Sequence, residues 1–345
     1  MRKEAPGAWP LAGLNNAQPL LSLKNLIVDL PTPRGNLRAV DGVTLTIAAG
    51  QTLGIVGESG CGKTMLSRAI LQLLPKRART SGEVMFEGQN LSELRPDALR
   101  RLRGPALAVV FQDPMTSLNP VLTIGTQLTE TLQAHLALDG PEARRRSIGL
   151  LAAVGIPAPD QRMRQYPHQL SGGMRQRVAI AIALSCEPRL LIADEPTTAL
   201  DVTVQAQILD LLARETRRLH MAMILITHDL GVVAGRTDEV AVMYAGRIVE
   251  RAPTRALFHD TRMPYTEALL ASIPKLDSPP HTPLPAIGGR PPDPTRPMPG
   301  CAFAPRCAYA DDPCRAAKPP LADPNHGGHS FACWHPVGAR QPIGA

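Results

Sequence analysis

The spacing of hydrophobic residues changes along the chain, and each change marks a different kind of element. Residues 21–48 contain short alternating segments separated by Pro and Gly, which predicts antiparallel strands and turns. Thr52–Val56 is a short apolar run typical of a buried strand, and residues 63–74 place apolar side chains at helical spacing. We therefore expect a small β subdomain, then a buried strand that leads through a Gly-rich turn into a helix.

The later part of the chain alternates between strands and helices. Only helical signals are found between about residues 115 and 187, and a further helix is predicted over 204–219. A hairpin is predicted over 81–91, and buried strands over 106–111, 190–193, 221–227 and 240–244. Strands that alternate with helices predict a mainly parallel sheet, so we expect an α/β fold into which the helical block is inserted.

The composition changes after about residue 272. Roughly half of the 35 prolines and four of the six cysteines follow this point, and apolar periodicity is lost. We expect a loose tail over 1–20 and a main domain over 21–271, with its helical subdomain at about 115–187. Residues 272–345 are expected to form a Pro-rich appendage with a four-cysteine motif and little core of its own.

The charge balance is mildly basic, since 37 Lys and Arg against 30 Asp and Glu give a net charge of +7. The basic residues form no runs with aromatic residues between them, which disfavours nucleic acid as a partner and fits an anionic membrane surface. No apolar run approaches the roughly 18 residues needed to cross a bilayer. We therefore expect a cytosolic chain that is neither secreted nor membrane-spanning by itself.

A Gly-rich segment between the first buried strand and the first helix fits the P-loop pattern. Its glycines let backbone N–H groups wrap phosphates, and the start of the helix adds positive potential. Lys63 is expected to reach the β- and γ-phosphates, and the Thr64 hydroxyl to ligate Mg²⁺. The predicted ATP-binding residues of this loop are Gly57, Glu58, Ser59, Gly60, Cys61, Gly62, Lys63 and Thr64.

Two adjacent carboxylates end a second buried strand. Neighbouring side chains on a strand point to opposite sides, so Asp194 and Glu195 can take different tasks. Asp194 suits the Mg²⁺ shell, whereas Glu195 is placed to polarise the attacking water. Shortly before this strand, Ser171 is a natural N-cap for a helix that begins with Gly172 and Gly173, whose bare amides another molecule's phosphates can approach.

These motifs, in this order, resemble the ABC-transporter ATPase family over about residues 21–270. The resemblance implies a RecA-like P-loop NTPase fold with an antiparallel β subdomain and an inserted helical subdomain. It implies that Gln112 is a Q-loop residue at the catalytic site and a Mg²⁺ contact, that Asp201 belongs to the D-loop, and that His228 contacts the γ-phosphate. Two such domains face head to tail in the family, so the signature residues would act on the partner's ATP: Ser171, Gly172, Gly173 and Gln176.

The oligopeptide/dipeptide importer ATPases are a closer resemblance, carried by residues 111–120, 171–177, 227–233 and 263–270. Met174, directly after the signature glycines, resembles the first of the two different ATPases in such importers. The resemblance implies a heterodimer with a second ATPase, two permease subunits and an extracytoplasmic solute-binding protein, at the cytoplasmic face of the membrane. Nickel, glutathione or opines are the alternative cargoes.

A soluble ABC ATPase of DNA repair or translation fits less well. No long heptad insertion interrupts the domain, and only one set of motifs occurs. One family feature is missing, because residues 21–50 contain no Phe, Tyr or Trp to stack on adenine. Leu30 or Val40 would supply apolar contact instead.

The appendage carries four cysteines, separated by five, six and eighteen residues. A reducing cytosol disfavours disulfides, and spacing alone leaves structural zinc and an iron–sulfur cluster about even. The resemblance favours a [4Fe–4S] cluster held by Cys301, Cys307, Cys314 and Cys333. We expect His326, His329 and His335 to be solvated loop residues, and the ATPase motifs to be complete without the appendage.

Overall fold

The computed structural model describes residues 18–113, 117–198, 200–273, 286–296 and 298–338. The predicted tail up to residue 17 and Ala199 of the predicted D-loop lie outside these ranges. None of the described helices is long and apolar enough to cross a bilayer.

Eleven strands are found in the described part of the chain, in two sheets. They are β1 (Leu21–Thr32), β2 (Gly35–Ile47), β3 (Thr52–Val56), β4 (Arg79–Phe86), β5 (Gln89–Asn90), β6 (Leu107–Val110), β7 (Leu190–Asp194), β8 (Ala222–Thr227), β9 (Glu239–Tyr244), β10 (Arg247–Pro253) and β11 (Ser330–Phe331). The four-stranded sheet has the order β2-β1-β4-β5 and the seven-stranded sheet the order β11-β10-β9-β3-β8-β7-β6.

The seven-stranded sheet is parallel from β9 to β6, and at its other edge β10 pairs antiparallel with β9 and β11 pairs antiparallel with β10. This arrangement confirms the predicted mainly parallel sheet. Its strands are apolar on both faces: along β7, Leu190 and Ile192 join one hydrophobic cluster and Leu191 and Ala193 join the other. Because parallel strands end at the same edge, the polar residues that follow β3, β6, β7 and β8 come together there.

The four-stranded sheet is the predicted antiparallel subdomain, and it packs beside β3. Its strands β1 and β2 pair from Leu21–Ile47 to Thr32–Gly35, with three irregularities in register. Alternate residues point into the cluster shared with β3, among them Leu21, Leu23 and Leu45. This packing places the middle of β2 directly against the Gly-rich turn that follows β3.

Helices fill the connections, and their bounds are close to those predicted. They are α1 (Lys63–Ile70), α2 (Pro96–Leu102), α3 (Ile124–Leu136), α4 (Gly140–Ala153), α5 (Pro159–Arg162), α6 (Gly172–Leu184), α7 (Val202–Leu219), α8 (Leu230–Val233), α9 (Thr254–His259), α10 (Pro264–Ala271) and α11 (Asp312–Ala316). The described part of the helical block contains helices joined by loops, and no strand. The first helix ends four residues earlier than predicted, because Gln72 takes a φ of 53° and Leu73 N–H returns to Arg68 O (2.7 Å), a left-handed C-terminal cap.

The appendage is docked on the ATPase domain and shares its core. Strand β11 pairs with β10. The ring of Phe303 is buried, and its centre lies 5.4 Å from the centre of the Tyr244 ring and 5.3 Å from that of Tyr265. Behind β11, His329 Nε2 lies 2.8 Å from the buried carboxylate of Glu250. The appendage therefore obtains from the main domain the burial that its own composition cannot supply.

Candidate nucleotide site and cysteine cluster

The Gly-rich turn between β3 and α1 is folded tightly against β2. A Cβ on Gly62, which has a φ of 108°, would lie 2.1 Å from Ala39 O, so only glycine fits there. The Lys63 side chain is buried and curls back over the loop, donating to Gly57 O (2.7 Å) and Glu58 O (3.0 Å). Its ammonium group is thus held over the cradle in which phosphates would bind.

A candidate binding site for a divalent cation lies where the end of β7 meets α1. The carboxylate of Asp194 is buried and accepts from Ser67 Oγ (3.1 Å) and Thr64 Oγ1 (3.5 Å). Burial raises the pKa of Asp194, so a cation bound there would offset the cost of the charged form. A carboxylate and a hydroxyl are the ligands that this class of site offers to Mg²⁺. Ser67 was not predicted, although its position one turn after Thr64 on the same helix face was a usable signal.

The second carboxylate, Glu195, is the centre of a hydrogen-bonded cluster. Its Oε2 accepts from Gln112 Nε2 (2.8 Å) and Thr198 Oγ1 (3.0 Å), and its Oε1 lies 3.5 Å from His228 Nδ1. The backbone of Glu195 has a φ of 48°, a conformation that non-glycine residues adopt mainly at turns and functional sites. Its N–H donates to Ile226 O (2.9 Å), which fixes the turn to β8.

The structure therefore brings three predicted catalytic residues together and adds Thr198. Gln112 contacts Glu195, whereas its predicted contact with Mg²⁺ stays a prediction. The side chains of Asp194 and Glu195 face different groups, as the alternation along a strand predicts.

The signature helix begins as its sequence indicates. Ser171 is the N-cap of α6, and its hydroxyl accepts from Met174 N–H (3.3 Å). A Cβ on Gly173 would lie 2.8 Å from Val204 Cγ1, so this glycine allows α6 and the start of α7 to pack closely. The predicted signature residue Gln176 is buried: only 1% of it is exposed, and neither polar atom of its side chain has a hydrogen-bond partner. In this conformation its amide is not presented to a second subunit.

The D-loop leads directly into α7. Asp201 is the N-cap of this helix and accepts from Val204 N–H (2.9 Å). The next side chain, Val202, is apolar and 82% exposed.

The side of the site where a base would lie contains no aromatic ring from β1 or β2. Val40 is fully buried in the core, so it cannot provide the apolar contact expected of it, whereas Leu30 is half-buried. A small cavity beside the P-loop residues 59–61 is instead lined by Arg38, Ala39 and three prolines of the appendage, Pro291, Pro292 and Pro294.

None of the four cysteines described in the appendage is in a disulfide, and all four line one cavity with Met263 and Trp334. Burial and the three neighbouring thiols raise the pKa of Cys333 to about 12. His326 is exposed as predicted, but the prediction is wrong for His329, which is bonded to Glu250. His335 is also only partly exposed, with Nε2 2.6 Å from Asp311 Oδ2. Pairing with a carboxylate was not recognisable from the local sequence.

A phosphate cradle, a carboxylate–hydroxyl corner for Mg²⁺ and a carboxylate placed for water activation together define a P-loop ATPase. Two protein-family models match the chain. The model described as ABC transporter covers residues 40–198, and the model described as oligopeptide/dipeptide transporter, C-terminal region, covers residues 249–314.

Curated relatives match over most of their length. Dipeptide transport ATP-binding protein DppD of Bacillus subtilis is 47% identical over 317 residues, 91% of this chain and 94% of that protein. Oligopeptide transport ATP-binding protein OppD of Haemophilus influenzae is 48% identical over 316 residues, 92% of this chain and 97% of that protein. The chain therefore belongs to the oligopeptide/dipeptide transporter family of ABC ATP-binding proteins, and it is an ATPase.

A solved structure agrees with this assignment. The dimeric post-hydrolysis state of the ATP-binding cassette MJ0796 bound to ADP and Pi has a TM-score of 0.61 and 29% identity, over 68% of this chain and 99% of that chain. The matched fold is the two-sheet ATPase domain described above.

Proposed function

We propose that this ATPase energises the uptake of oligopeptides or dipeptides, bound peripherally at the cytoplasmic face of a cell membrane. The names of the relatives, which describe dipeptide and oligopeptide transport, support this cargo. Two permease subunits and an extracytoplasmic solute-binding protein would complete the importer. Uptake of labelled dipeptide, nickel and glutathione by cells that lack or carry the gene tests the cargo, and a deficit restricted to nickel or glutathione would overturn it.

The observation that carries the hydrolytic role is the cluster around Glu195. Lys63 would contact the phosphates, and Thr64 with Asp194 would hold Mg²⁺. Glu195 would then orient and polarise the attacking water, while His228 and Gln112 stand on either side of its carboxylate.

The test is Glu195→Gln, which keeps size and hydrogen bonding but removes the basic carboxylate. Turnover by the purified transporter should fall about 10²- to 10⁴-fold while ATP binding is retained, because a positioned general base accelerates the reaction by about that factor. Glu130→Gln, on the exposed surface of α3, is the matched control. Hydrolysis within a few-fold of wild type would remove Glu195 from this role.

A heterodimer with a second, related ATPase is the assembly that we propose. The start of α6, capped by Ser171, is separate in sequence from this chain's own P-loop and resembles the signature that acts on a partner's ATP, and the exposed Val202 follows the D-loop residue Asp201. Ser171→Arg should block hydrolysis at the partner's P-loop but leave this chain's own ATP affinity unchanged. Full ATPase activity of this chain alone at dilute, monomeric concentration would contradict the proposal.

Contact with the permeases is proposed through the segment after Gln112. Ser117 Oγ donates to Asp113 O (2.7 Å) and Asn119 N–H donates to Gln127 Oε1 (2.9 Å). Residues 114–116 lie outside the described ranges, and the nearby Val121 is 76% exposed. Crosslinkers placed at Ser117 or Asn119 should capture a permease's cytoplasmic loop. If crosslinkers on the appendage capture the permease and those at Ser117 and Asn119 do not, the ATPase contacts the permeases through the appendage instead.

A [4Fe–4S] cluster in the appendage is also part of the proposal. The four described cysteines are not in disulfides and line one cavity, so four sulfur donors are available to such a group. In a tetrahedral zinc site, Zn–S bonds of about 2.3 Å would bring the sulfurs to roughly 3.8 Å of one another. In the described part of the chain, the one group of three or more His, Cys, Asp or Glu whose donor atoms all lie within 4.8 Å of one another is Asp311, Cys314 and His335. No three of the thiols lie that close together, which fits a centre larger than a single zinc ion, and a cluster would cross-link a segment poor in apolar residues.

Analysis of protein purified without oxygen separates the two centres. About four irons and four sulfides per chain are expected, and Cys307→Ser should remove the colour. One zinc per chain without sulfide would overturn the cluster and indicate a zinc site. Asp311, Cys314 and His335 are the first ligands to test for that site.

A further inference from the structure

Glu58 is an unusual residue to find inside a loop that binds a polyanion. Its backbone belongs to the cradle, since its carbonyl accepts from Lys63 Nζ (3.0 Å) and its N–H donates to Tyr265 Oη (2.9 Å). Its carboxylate is 26% exposed. Without a compensating cation, this negative charge beside the phosphates would oppose ATP binding.

The compensating cation comes from the appendage. Arg306 forms a two-pronged ion pair with Glu58, with Nη1 2.6 Å from Oε2 and Nη2 2.9 Å from Oε1. Only 3% of the Arg306 side chain is exposed, so solvent screens this pair little. The P-loop and the appendage are thus joined across 248 residues of sequence.

The guanidinium of Arg306 is itself fixed from several sides. It donates to Gly288 O (2.9 Å), Ile287 O (3.2 Å) and Tyr244 Oη (3.2 Å), and it lies 5.9 Å from the centre of the Phe303 ring. A side chain held in this way loses little further freedom when it orders its partner.

We propose that Arg306 is a positioning residue for the P-loop, through which the appendage sets the affinity for ATP. It neutralises the Glu58 carboxylate and holds the start of the loop in the shape that receives phosphates. Glu195, Gln112 and His228 follow other strands, so the hydrolytic step itself is not expected to depend on Arg306.

The experiment is a double-mutant cycle in the full-length chain, with equilibrium binding of Mg-ATP as the readout. Arg306→Ala should weaken Mg-ATP binding on the order of tenfold and raise KM with little change in kcat. Glu58→Gln keeps the backbone N–H and C=O with which this residue takes part in the loop and removes only the side-chain charge that needs a partner, so under the proposal Mg-ATP binding should be no weaker than that of wild type. The double variant should recover most of the affinity lost in Arg306→Ala. Arg315→Ala is the matched control, since Arg315 pairs with Asp312 on the exposed surface of the same appendage.

Two outcomes would overturn the proposal. One is wild-type affinity in Arg306→Ala, and the other is a double variant as weak as Arg306→Ala, which would indicate a general structural role. If Arg306→Ala does not fold, Glu58→Gln decides alone: binding weaker than wild type would show that the carboxylate helps rather than hinders.

Discussion

The ATP site and the C-terminal appendage touch at Glu58 but are held in place by different means. The chemical groups of the ATP site lie at or just after the end of a strand of the parallel sheet, or in the first two turns of a helix, so the buried sheet fixes their position. The appendage has one two-residue strand and one five-residue α-helix among its described residues. It is ordered mainly by contacts with the ATPase domain, through Phe303, His329 and Arg306.

This difference indicates which region can respond to its surroundings. A group at the end of a buried strand moves only when the core moves, whereas a docked segment can loosen without unfolding the rest. Among the residues that the structure describes, the P-loop is the element of the ATP site for which a hydrogen-bonded contact with the appendage is seen. We therefore expect the hydrolytic cluster to be insensitive to changes in the appendage and the phosphate cradle to be sensitive to them.

The largest effect is expected from a variant that tests whether the appendage is part of the hydrophobic core of the ATPase domain. Phe303→Ala removes a buried ring from between Tyr244 and Tyr265, so the free energy of unfolding should fall by about 3–5 kcal/mol. Urea denaturation of the full-length chain, followed by a spectroscopic signal to which the whole chain contributes, measures this loss of unfolding free energy. Val121→Ala, at an exposed site, should change stability by less than about 0.5 kcal/mol. A loss confined to the appendage, with an unchanged ATPase transition, would show that the two regions are separate.

An intermediate effect is expected inside the hydrolytic cluster. Thr198→Val removes the hydroxyl that donates to Glu195 Oε2, and kcat should fall on the order of tenfold with KM unchanged. Thr198→Ser keeps the hydroxyl and should retain most activity. Equal kcat values for the Val and Ser variants would mean that the carboxylate is oriented by Gln112 and His228 without Thr198.

The smallest effect concerns the stability of the nucleotide-free protein. Burial raises the pKa of Asp194 above its value in the unfolded chain, so the ionised carboxylate destabilises the fold at pH values above the raised pKa. The penalty disappears below the unfolded value. Asp194→Asn should therefore raise Tm at pH 7, and the gain should shrink as the pH falls towards 4. The same variant is expected to lose Mg²⁺-dependent hydrolysis if Asp194 holds the ion as proposed.

Exposed Asp97→Asn serves as the control for that measurement. A lower Tm for Asp194→Asn at pH 7 would show that the hydrogen bonds from Ser67 and Thr64 outweigh the cost of burial. A gain that persists at low pH would show that ionisation is not its cause.

Sequence reasoning succeeded where function depends on neighbours along the chain. The Gly-rich turn, the Asp194–Glu195 pair and the cap at Ser171 are local patterns, and the structure places each at the predicted kind of element. It failed where partners are distant: the Glu58–Arg306 and Glu250–His329 pairs join residues 248 and 79 positions apart. No periodicity encodes such pairs. The burial of Val40 and Gln176 was equally hidden, because it depends on how one sheet packs on the next.

The placement of β11 has a consequence for solubility. A sheet that ended at β10 would offer a seven-residue strand with free backbone N–H and C=O groups to any passing strand. Such edges invite intermolecular pairing and aggregation, and natural proteins commonly cover them or keep them short. Two residues of the appendage, Ser330 and Phe331, cover part of this edge with a strand too short to act as a template. Loss of the appendage would thus be expected to appear first as precipitation during expression.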